Sequence, residues 1–270
     1  MPFATIHFHT KEGENLRLGK SSRDIAKDFE KSRIDYLVLT DKVSIGERAR
    51  LPVKAFKRIK SYLSKKKENL LFGLEFIGQG YHLLGICMEV EKWEKEKCPS
   101  SLEEICYKIE ESDGVIGIPH PFGPCGIGRK GIEYICALQE KGYLKYKPLI
   151  EVSFYLESFP SRHRGLRREN KRAIEIARSK NLALYAGLDS RFSRIDLAYN
   201  EFSSDLAKDL KEASLKGFKN SNIIPYISPV HFPMWRETAY LVRDNLMHFL
   251  RNGNSALFNF ALNSLRRFTF

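Results

Sequence analysis

The stretch MPFATIHFHT, residues 1 to 10, guides the interpretation of the rest of the chain. Phe3 to Phe8 is a short β-type run, and it predicts a strand that carries His7 and His9 at positions i and i+2. Because side chains alternate between the two faces of a strand, both imidazoles are expected on the same side. Such a pair can bind one metal ion, but a His-x-His run alone is weak support. The prediction depends on whether other metal-binding side chains join it.

The composition sets broad limits on the fold and on the partners. A chain of 270 residues with 43% hydrophobic content can bury one large core or two small ones, and the regular alternation of its segments favours one. The net charge of +12 favours anionic partners, whether phosphorylated small molecules, nucleic acid or an acidic protein surface. We expect no secretion signal and no membrane contact, because no long apolar run occurs.

The cysteines indicate a reducing compartment. Five occur at irregular spacing without any C-x-x-C pair: Cys87, Cys98, Cys106, Cys125 and Cys136. This pattern predicts reduced thiols in a cytoplasmic protein, and we expect none of them to be catalytic.

Apolar runs typical of strands alternate with helical segments along the chain. The predicted strands are residues 3–8, 35–40, 69–76, 114–119, 148–154, 182–187 and 223–227, with 81–87 as a hairpin partner. Two predicted helices begin at Ser21-Ser22 and at Ser100-Ser101. The others cover Pro52 to about Lys67, the segment from the end of the glycine-rich loop 122–131 to about Gly142, and residues 165–180 and 203–216. Two amphipathic stretches follow from Met234. Some seven such rounds indicate an α/β fold with a parallel sheet.

Metal-type side chains stand at the carboxyl ends of several predicted strands. They are His7, His9, Asp41, Glu75, His120 and Asp189. In a barrel of parallel strands these ends share one face, so side chains there meet whatever their separation in sequence. The residues themselves therefore predict one metal centre on that face.

Short motifs in a fixed order strengthen this prediction. They are His7-Phe-His9-Thr10, Thr40-Asp41-Lys42, Gly73-Leu-Glu75, His82 in Tyr-His-Leu-Leu-Gly, Pro119-His120-Pro121-Phe122, Glu151 in Ile-Glu-Val, and Gly187-Leu-Asp189-Ser-Arg191. Together they resemble the polymerase and histidinol phosphatase (PHP) domain family, whose members are metal-dependent phosphoesterases with a distorted (β/α)7 TIM-like barrel. The match covers residues 3 to about 191. It implies a single barrel domain over residues 1–270, in which 192–270 complete the barrel and add C-terminal helices.

The resemblance also implies a two-metal centre. His7, His9, Glu75 and Asp189 would bind one divalent ion, and Glu75 would bridge to a second ion held by His82 and His120. Imidazole and carboxylate ligands suit Zn, Mn or Fe. A metal-bound hydroxide would then attack a phosphate mono- or diester. Asp41, Glu75 and Arg191 would take part in catalysis, with Asp41 orienting a ligand or the water.

Three positions depart from the three-metal members of this family. Glu14, Lys42 and Arg191 stand where those members place further ligands, and all three positions belong to one metal site. We expect the Lys42 ammonium and the Arg191 guanidinium to occupy the space of the third ion, with Glu14 as their counter-ion. Arg191 could still reach a substrate phosphate. The alternative is that the site has decayed and the protein is a non-catalytic relative.

Cations after several strands predict contacts with phosphate. The predicted phosphate-binding residues are Lys42, Arg129, Lys130, Arg162, Arg164 and Arg191. Lys171, Arg172 and the basic helix 54–67 are more typical of solvated helix faces. His163 could assist as an acid or simply be exposed, and we interpret His231 and His248 as structural.

The predicted function is hydrolysis of an anionic phosphorylated substrate, either a metabolite or a nucleotide or nucleic-acid end. The alternative from a different class is a catalytically degenerate PHP scaffold that binds nucleic acid or a protein partner. Metal-dependent amidohydrolases also open with His-x-His, but no suitable lysine ligand at a strand end supports that interpretation. The substrate, the metal and the oligomeric state stay open.

Overall fold

The computed structural model describes residues 1–14, 19–123, 125–154, 164–191 and 194–227, without the side chains of residues 66 and 164–167. The described strands are β1 (Phe3–Phe8), β2 (Tyr36–Leu39), β3 (Lys42–Ser44), β4 (Leu70–Phe72), β5 (Leu74–Ile77), β6 (His82–Ile86), β7 (Val115–Ile118), β8 (Leu149–Ser153), β9 (Leu184–Ser190), β10 (Ala198–Glu201) and β11 (Ile224–Ile227). The described helices are α1 (Ser22–Lys31), α2 (Arg50–Tyr62), α3 (Val90–Trp93), α4 (Leu102–Glu111), α5 (Gly128–Glu140), α6 (Arg164–Lys180) and α7 (Leu206–Lys216).

Strand β1 organises the sheet. It pairs in parallel with β2 and β9, and its first residues pair antiparallel with β10. From β9 the pairing continues through β8, β7, β6 and β5 to β3, while β2 pairs with β4. Only Thr40 and Asp41 separate β2 from β3, and only Gly73 separates β4 from β5. The result is a curled sheet in a mixed α/β fold, consistent with a TIM-like barrel.

The core lies between the sheet and its helices and within the curl of the sheet. Ala4 and Ile6 of β1 belong to one buried cluster with Leu84, Val115 and Tyr185 from three other strands. All five residues have no exposed surface. This burial explains why the strand sequences are nearly continuous apolar runs, as expected for strands that are covered on both faces.

The start and the buried face of helix α1 follow from its local sequence. The side chain of Ser21 accepts a hydrogen bond from the backbone of Asp24, and the Asp24 carboxylate accepts one from the backbone of Ser21, which forms a capping box. Ile25, Ala26 and Phe29 then share the buried face of the helix. The cap and the apolar face together fix where α1 begins and which side it packs.

The sheet is mixed, with more antiparallel pairs than the one hairpin that was predicted. Strands β5 and β6 form the predicted antiparallel hairpin, but β6 also pairs antiparallel with β7, and β10 pairs antiparallel with β1 and β11. The turn between β5 and β6 is too short for the crossover that a parallel connection needs. The hairpin therefore places β6 in the sheet with the opposite direction.

Some boundaries also differ from the prediction. Helix α2 ends at Tyr62 rather than near Lys67, because the Glu30 carboxylate accepts hydrogen bonds from the backbone and hydroxyl of Ser64 and holds the chain after the helix. Helix α5 begins at Gly128, inside the predicted glycine-rich loop, where the Gly128 amide donates to the carbonyl of Pro121. The short elements β3, β10 and α3 were not predicted.

The predictions for the C-terminal part of the chain remain untested. All described residues belong to one compact unit, Met1–Val230, and His231–Phe270 lies outside them. The single-domain prediction for residues 1–270 and the helices expected after Met234 therefore stay predictions. None of the helices in the described ranges combines the length and the apolar character that a bilayer-spanning segment requires.

Candidate metal centre

The backbone takes unusual conformations at three of the predicted metal-binding residues. His7, His120 and Asp189 have φ values of 64°, 29° and 43°, in the left-handed region that residues other than glycine rarely adopt. The pairing of β1 with both β2 and β9 shifts register on either side of His7, which marks a local irregularity in the strand. Such strained positions cluster at functional sites, where surrounding packing holds them.

The first group of possible ligands comprises His7, His9 and Asp189, whose ligand atoms all lie within 4.8 Å of one another. Oδ1 of Asp189 lies 3.6 Å from Nε2 of His7 and 3.3 Å from Nε2 of His9. Both histidines are fully buried, and 16% of the Asp189 side chain is exposed. The two imidazoles thus face the same point, as the strand period predicts.

The second group comprises Glu75, His82 and His120. Nδ1 of His82 lies 2.6 Å from Oε1 of Glu75, and Nε2 of His120 lies 3.6 Å from the same oxygen. Glu75 comes from β5 and His82 from the neighbouring antiparallel strand β6, two residues before Leu84, which is the register partner of Glu75. The hairpin therefore supplies two members of this group and the end of β7 supplies the third.

Glu75 lies between the two groups. Its Oε1 faces the second group, whereas its Oε2 lies 3.4 Å from Nε2 of His9 and 3.8 Å from Nε2 of His7. Asp189 extends in the same direction, because its Oδ2 lies 3.9 Å from Nε2 of His120. The six predicted ligand residues therefore form one continuous cluster, with one carboxylate at its centre.

The cluster has the donor chemistry that divalent cations require. Nε2 of His7, Nε2 of His9 and Oε2 of Glu75 are buried and have no hydrogen-bond partner within the described residues. Buried polar atoms are normally paired, and leaving one unpaired costs about 1–3 kcal/mol. Several such atoms facing one point fit residues that hold a cation.

The pKa shifts of His7 and Glu75 show that the cluster favours positive charge. Burial alone would lower the pKa of His7, but the carboxylates of Glu151 and Asp189 outweigh burial and hold that pKa well above its usual value. Burial alone would raise the pKa of Glu75, but Lys42 and His82 hold it well below its usual value. The carboxylates of Glu75 and Asp189 therefore stay ionised, because both pKa values lie well below their usual values.

Glu151 contacts two of the possible ligand residues, His7 and His120, on the side away from the cluster's centre. Oε2 of Glu151 lies 2.6 Å from Nδ1 of His7, and both side chains are fully buried. The hydroxyl of Tyr185 donates to the same oxygen at 3.2 Å, and the backbone amide of His120 donates to Oε1 at 3.4 Å. A lone carboxylate inside the apolar strand β8 was the available sequence signal for this role, because buried charges need partners. Tyr185 carried no such signal.

A third group comprises His9, Glu14 and Asp41. Oε1 of Glu14 lies 2.9 Å from Nδ1 of His9, and Glu14 also forms an ion pair of 2.6 Å with Arg191. Burial alone would raise the pKa of Glu14, but the Arg191 guanidinium and His9 hold it below its usual value. Nζ of Lys42 lies 3.8 Å from Oε2 of Glu75. One side of the cluster is thus lined by Glu14, Lys42 and Arg191.

Asp41 contacts the backbone after His9. Its Oδ1 accepts a hydrogen bond from the Thr10 amide at 2.5 Å and its Oδ2 accepts one from the Thr10 hydroxyl at 2.8 Å. Burial, followed by the nearby charge of Glu14, raises the pKa of Asp41 to about 7. The sequence did not indicate the contact with Thr10.

Among the described residues, Arg129 and Lys130 are predicted phosphate-binding residues that the structure does not bring into the cluster. Arg129 is exposed near the start of α5 and lies 3.8 Å from Glu133 on the same helix, and Lys130 is exposed beside it. Arg162 and the side chain of Arg164 lie outside the described residues, as do His163, His231 and His248. Their predicted roles stay predictions.

Comparison with known proteins supports the fold. No family model and no curated protein matches this chain. The structure of Endonuclease Q, in complex with a 27-mer duplex substrate that has an abasic lesion at the active site, matches 84% of this chain and 60% of that chain, with a TM-score of 0.51 and 13% identity. At this identity the match shows that the two proteins share a fold and nothing finer.

Two further solved structures match with lower TM-scores. A Bifidobacterium adolescentis protein to which metal-dependent phosphoesterase activity is ascribed matches 80% of this chain and 97% of that chain, with a TM-score of 0.48 and 12% identity. An amidohydrolase from Chromobacterium violaceum, with bound sulfate and no metal, matches 87% of this chain and 95% of that chain, with a TM-score of 0.46 and 14% identity.

Proposed function

We propose that this chain is a divalent-metal-dependent phosphoesterase with a PHP-type (β/α)7 barrel, which hydrolyses a phosphate mono- or diester at a two-metal centre. The observation that carries the proposal is the position of Glu75, whose two oxygens face different sets of imidazoles. A carboxylate in this position is the usual bridge between two cations. His7, His9 and Asp189 would hold one ion, and His82 and His120 the other.

The proposal divides the chemistry between the ions and the chain. Two divalent ions such as Zn, Mn or Fe would supply Lewis acidity toward a phosphoryl oxygen and toward water near neutral pH. The chain would hold and orient them: Glu75 bridges, Glu151 fixes the ring of His7, and Asp41 anchors Thr10 beside His9. We therefore assign Asp41 a positioning role.

Lys42 and the net charge favour a phosphorylated substrate. The Lys42 side chain is 16% exposed and its ammonium lies beside Glu75, where it can contact a phosphoryl oxygen. Arg191 is 3% exposed and in contact with Glu14, so its proposed contact with phosphate is less direct. The overall charge of +12 is compatible with a phosphorylated metabolite and with a nucleic-acid end.

Reconstitution of the metal-free full chain tests this function. We expect Mn²⁺ or Zn²⁺ to restore hydrolysis of p-nitrophenyl phosphate or bis(p-nitrophenyl) phosphate, and we expect Glu75→Gln and His9→Ala to abolish it. Glu94→Gln is a matched control, because Glu94 is half-exposed and pairs with Lys57. Metal-loaded protein without hydrolysis of either ester would contradict the proposal.

A scaffold without catalysis is the second candidate. The observation that favours it is the presence of two fixed cations, Lys42 and Arg191, beside the cluster. A scaffold would contain no bound metal by elemental analysis and would bind nucleic acid with a steep dependence on salt. The same metal-content measurement therefore separates the two candidates.

A further inference from the structure

Glu14 and Asp41 of the third group are not ligands in the proposed two-metal centre, yet the group already contacts a cation. Nε of Arg191 lies 2.6 Å from Oε2 of Glu14, and its Nη2 lies 3.0 Å from Oε1. This is a bidentate ion pair between side chains that are only 3% and 4% exposed. A guanidinium keeps its charge at any physiological pH and its fork matches a carboxylate, so this cation is permanent.

Each member of the group has a partner within the protein. Oε1 of Glu14 lies 2.9 Å from Nδ1 of His9, and both oxygens of Asp41 accept hydrogen bonds from Thr10. Nε2 of His9 faces Glu75 and Asp189, at 3.4 Å and 3.3 Å. One imidazole bridges two metal ions only after losing both ring protons, which neutral pH does not favour. His9 therefore serves the first group through Nε2, with Nδ1 toward Glu14.

The backbone around Arg191 fixes this arrangement. The amide of Lys20 donates to the carbonyl of Arg191 at 2.9 Å, and the amide of Lys11 donates to the carbonyl of Lys20 at 3.4 Å. These backbone hydrogen bonds link Lys11 and Lys20, which lie on either side of Glu14, to Arg191, the residue directly after β9. The side-chain ion pair adds a second link between the same two segments.

We propose that the Arg191 guanidinium takes the place of a metal ion in the group of His9, Glu14 and Asp41, so that Glu14 is a positioning residue for His9 and not a metal ligand. The proposal rests on the proposed function in one respect, the assignment of His9 to a metal centre. Glu14 then lies 2.9 Å from Nδ1 of His9, as Glu151 lies 2.6 Å from Nδ1 of His7, and in both cases a buried carboxylate at Nδ1 leaves Nε2 facing the centre; only the contact of His7 has hydrogen-bond geometry.

The number of Mn²⁺ ions bound per chain tests the proposal. It is measured on the full-length metal-free protein by equilibrium dialysis to saturation followed by elemental analysis. We expect the wild type and Glu14→Gln to bind the same number of ions, because no ion contacts Glu14. We expect Arg191→Met to bind one more, because a cation can then enter between Glu14 and Asp41. Arg191→Lys, which keeps a cation, is the matched control and should keep the wild-type number.

Two results would overturn the proposal: a wild-type number that falls by one in Glu14→Gln, or an unchanged number in Arg191→Met. A wild type without any bound ion would instead overturn the proposed function, and the gain in Arg191→Met would still test the role of Arg191. If a variant does not fold, wild-type crystals grown with Mn²⁺ decide the question. Anomalous density between Glu14 and Asp41 contradicts the proposal, and its absence with Arg191 on Glu14 supports it.

Discussion

Nδ1 of His7 lies 2.6 Å from Oε2 of Glu151, and neither side chain has exposed surface. Glu151 also accepts hydrogen bonds from the Tyr185 hydroxyl and the His120 amide, so it connects the strand of one possible ligand with the backbone of another. A carboxylate in this position selects the ring tautomer that leaves Nε2 available and holds the ring in place. Glu151 therefore contributes to the centre without facing it.

Glu151→Gln should weaken Mn²⁺ binding by about 10–100-fold, because an amide is a poorer partner for the Nδ1 proton of His7 and brings no charge. Tyr185→Phe removes one donor to Glu151 and should have a smaller effect in the same direction. Both are measured by equilibrium dialysis, with Glu94→Gln as the control for loss of a surface carboxylate. Wild-type affinity in Glu151→Gln would contradict this role.

Gly187→Ala should damage the same contact through sterics. A Cβ at Gly187 would lie 2.3 Å from Cδ of Glu151, a separation that real atoms do not tolerate. We expect a loss of about 1–3 kcal/mol in the free energy of unfolding, measured by urea denaturation, together with weaker Mn²⁺ binding.

Gly80→Ala is the control for this substitution. Its Cβ would meet no atom within 4 Å, so its cost is limited to the positive φ of 79°, about 1–2 kcal/mol. Its Mn²⁺ affinity should stay at the wild-type value. Equal loss of Mn²⁺ affinity in both variants would show that the contact with Glu151 is not the cause.

The position of the cluster could be predicted from sequence because it follows from the ends of elements. His7, Glu75, His120 and Asp189 stand at or next to the ends of apolar runs, and neighbouring strands bring such ends together whatever the loops between them do. His82 required one further step, the prediction that Gly78 to Gly80 makes a hairpin turn.

The details of the cluster depend on tertiary packing and could not be predicted. His and Asp adopt positive φ more often than most residues, but this preference does not single out His7 or Asp189, because packing around the strands imposes the left-handed backbone there. The extension of the sheet by β10 was missed because Ala198 to Glu201 carries little apolar pattern of its own. The sequence predicted that Glu14 is a counter-ion of Arg191, but only the structure shows that Glu14 also contacts His9.

Three cysteines should react slowly with iodoacetamide in the native protein. Burial, the largest cause, raises the pKa of Cys87, Cys98 and Cys106 to about 12. Because the thiolate is the reactive form, roughly one molecule in ten thousand is reactive at pH 8, and the rate should rise with pH. Mass spectrometry of labelled peptides measures this, with the denatured protein as control. Native labelling as fast as denatured labelling would contradict the raised pKa values of these thiols.

Lys42→Met should weaken the binding of an anion at the centre. The Lys42 ammonium lies 3.8 Å from Oε2 of Glu75 and its side chain is partly exposed, so it is a charge that a phosphoryl group can reach. Removing one charged hydrogen-bond donor costs about 1.5–3 kcal/mol, which corresponds to roughly 10–150-fold weaker inhibition by inorganic phosphate.

The control for Lys42→Met is Lys57→Met, because Lys57 is half-exposed on α2 and pairs with Glu94 outside the cluster. Phosphate inhibition of ester hydrolysis by the Mn²⁺-loaded protein should weaken in Lys42→Met alone, and Mn²⁺ stoichiometry should stay the same in both variants. Equal phosphate inhibition in the two variants would remove Lys42 from the substrate site, and it would leave the net charge as the remaining reason to prefer a phosphorylated substrate.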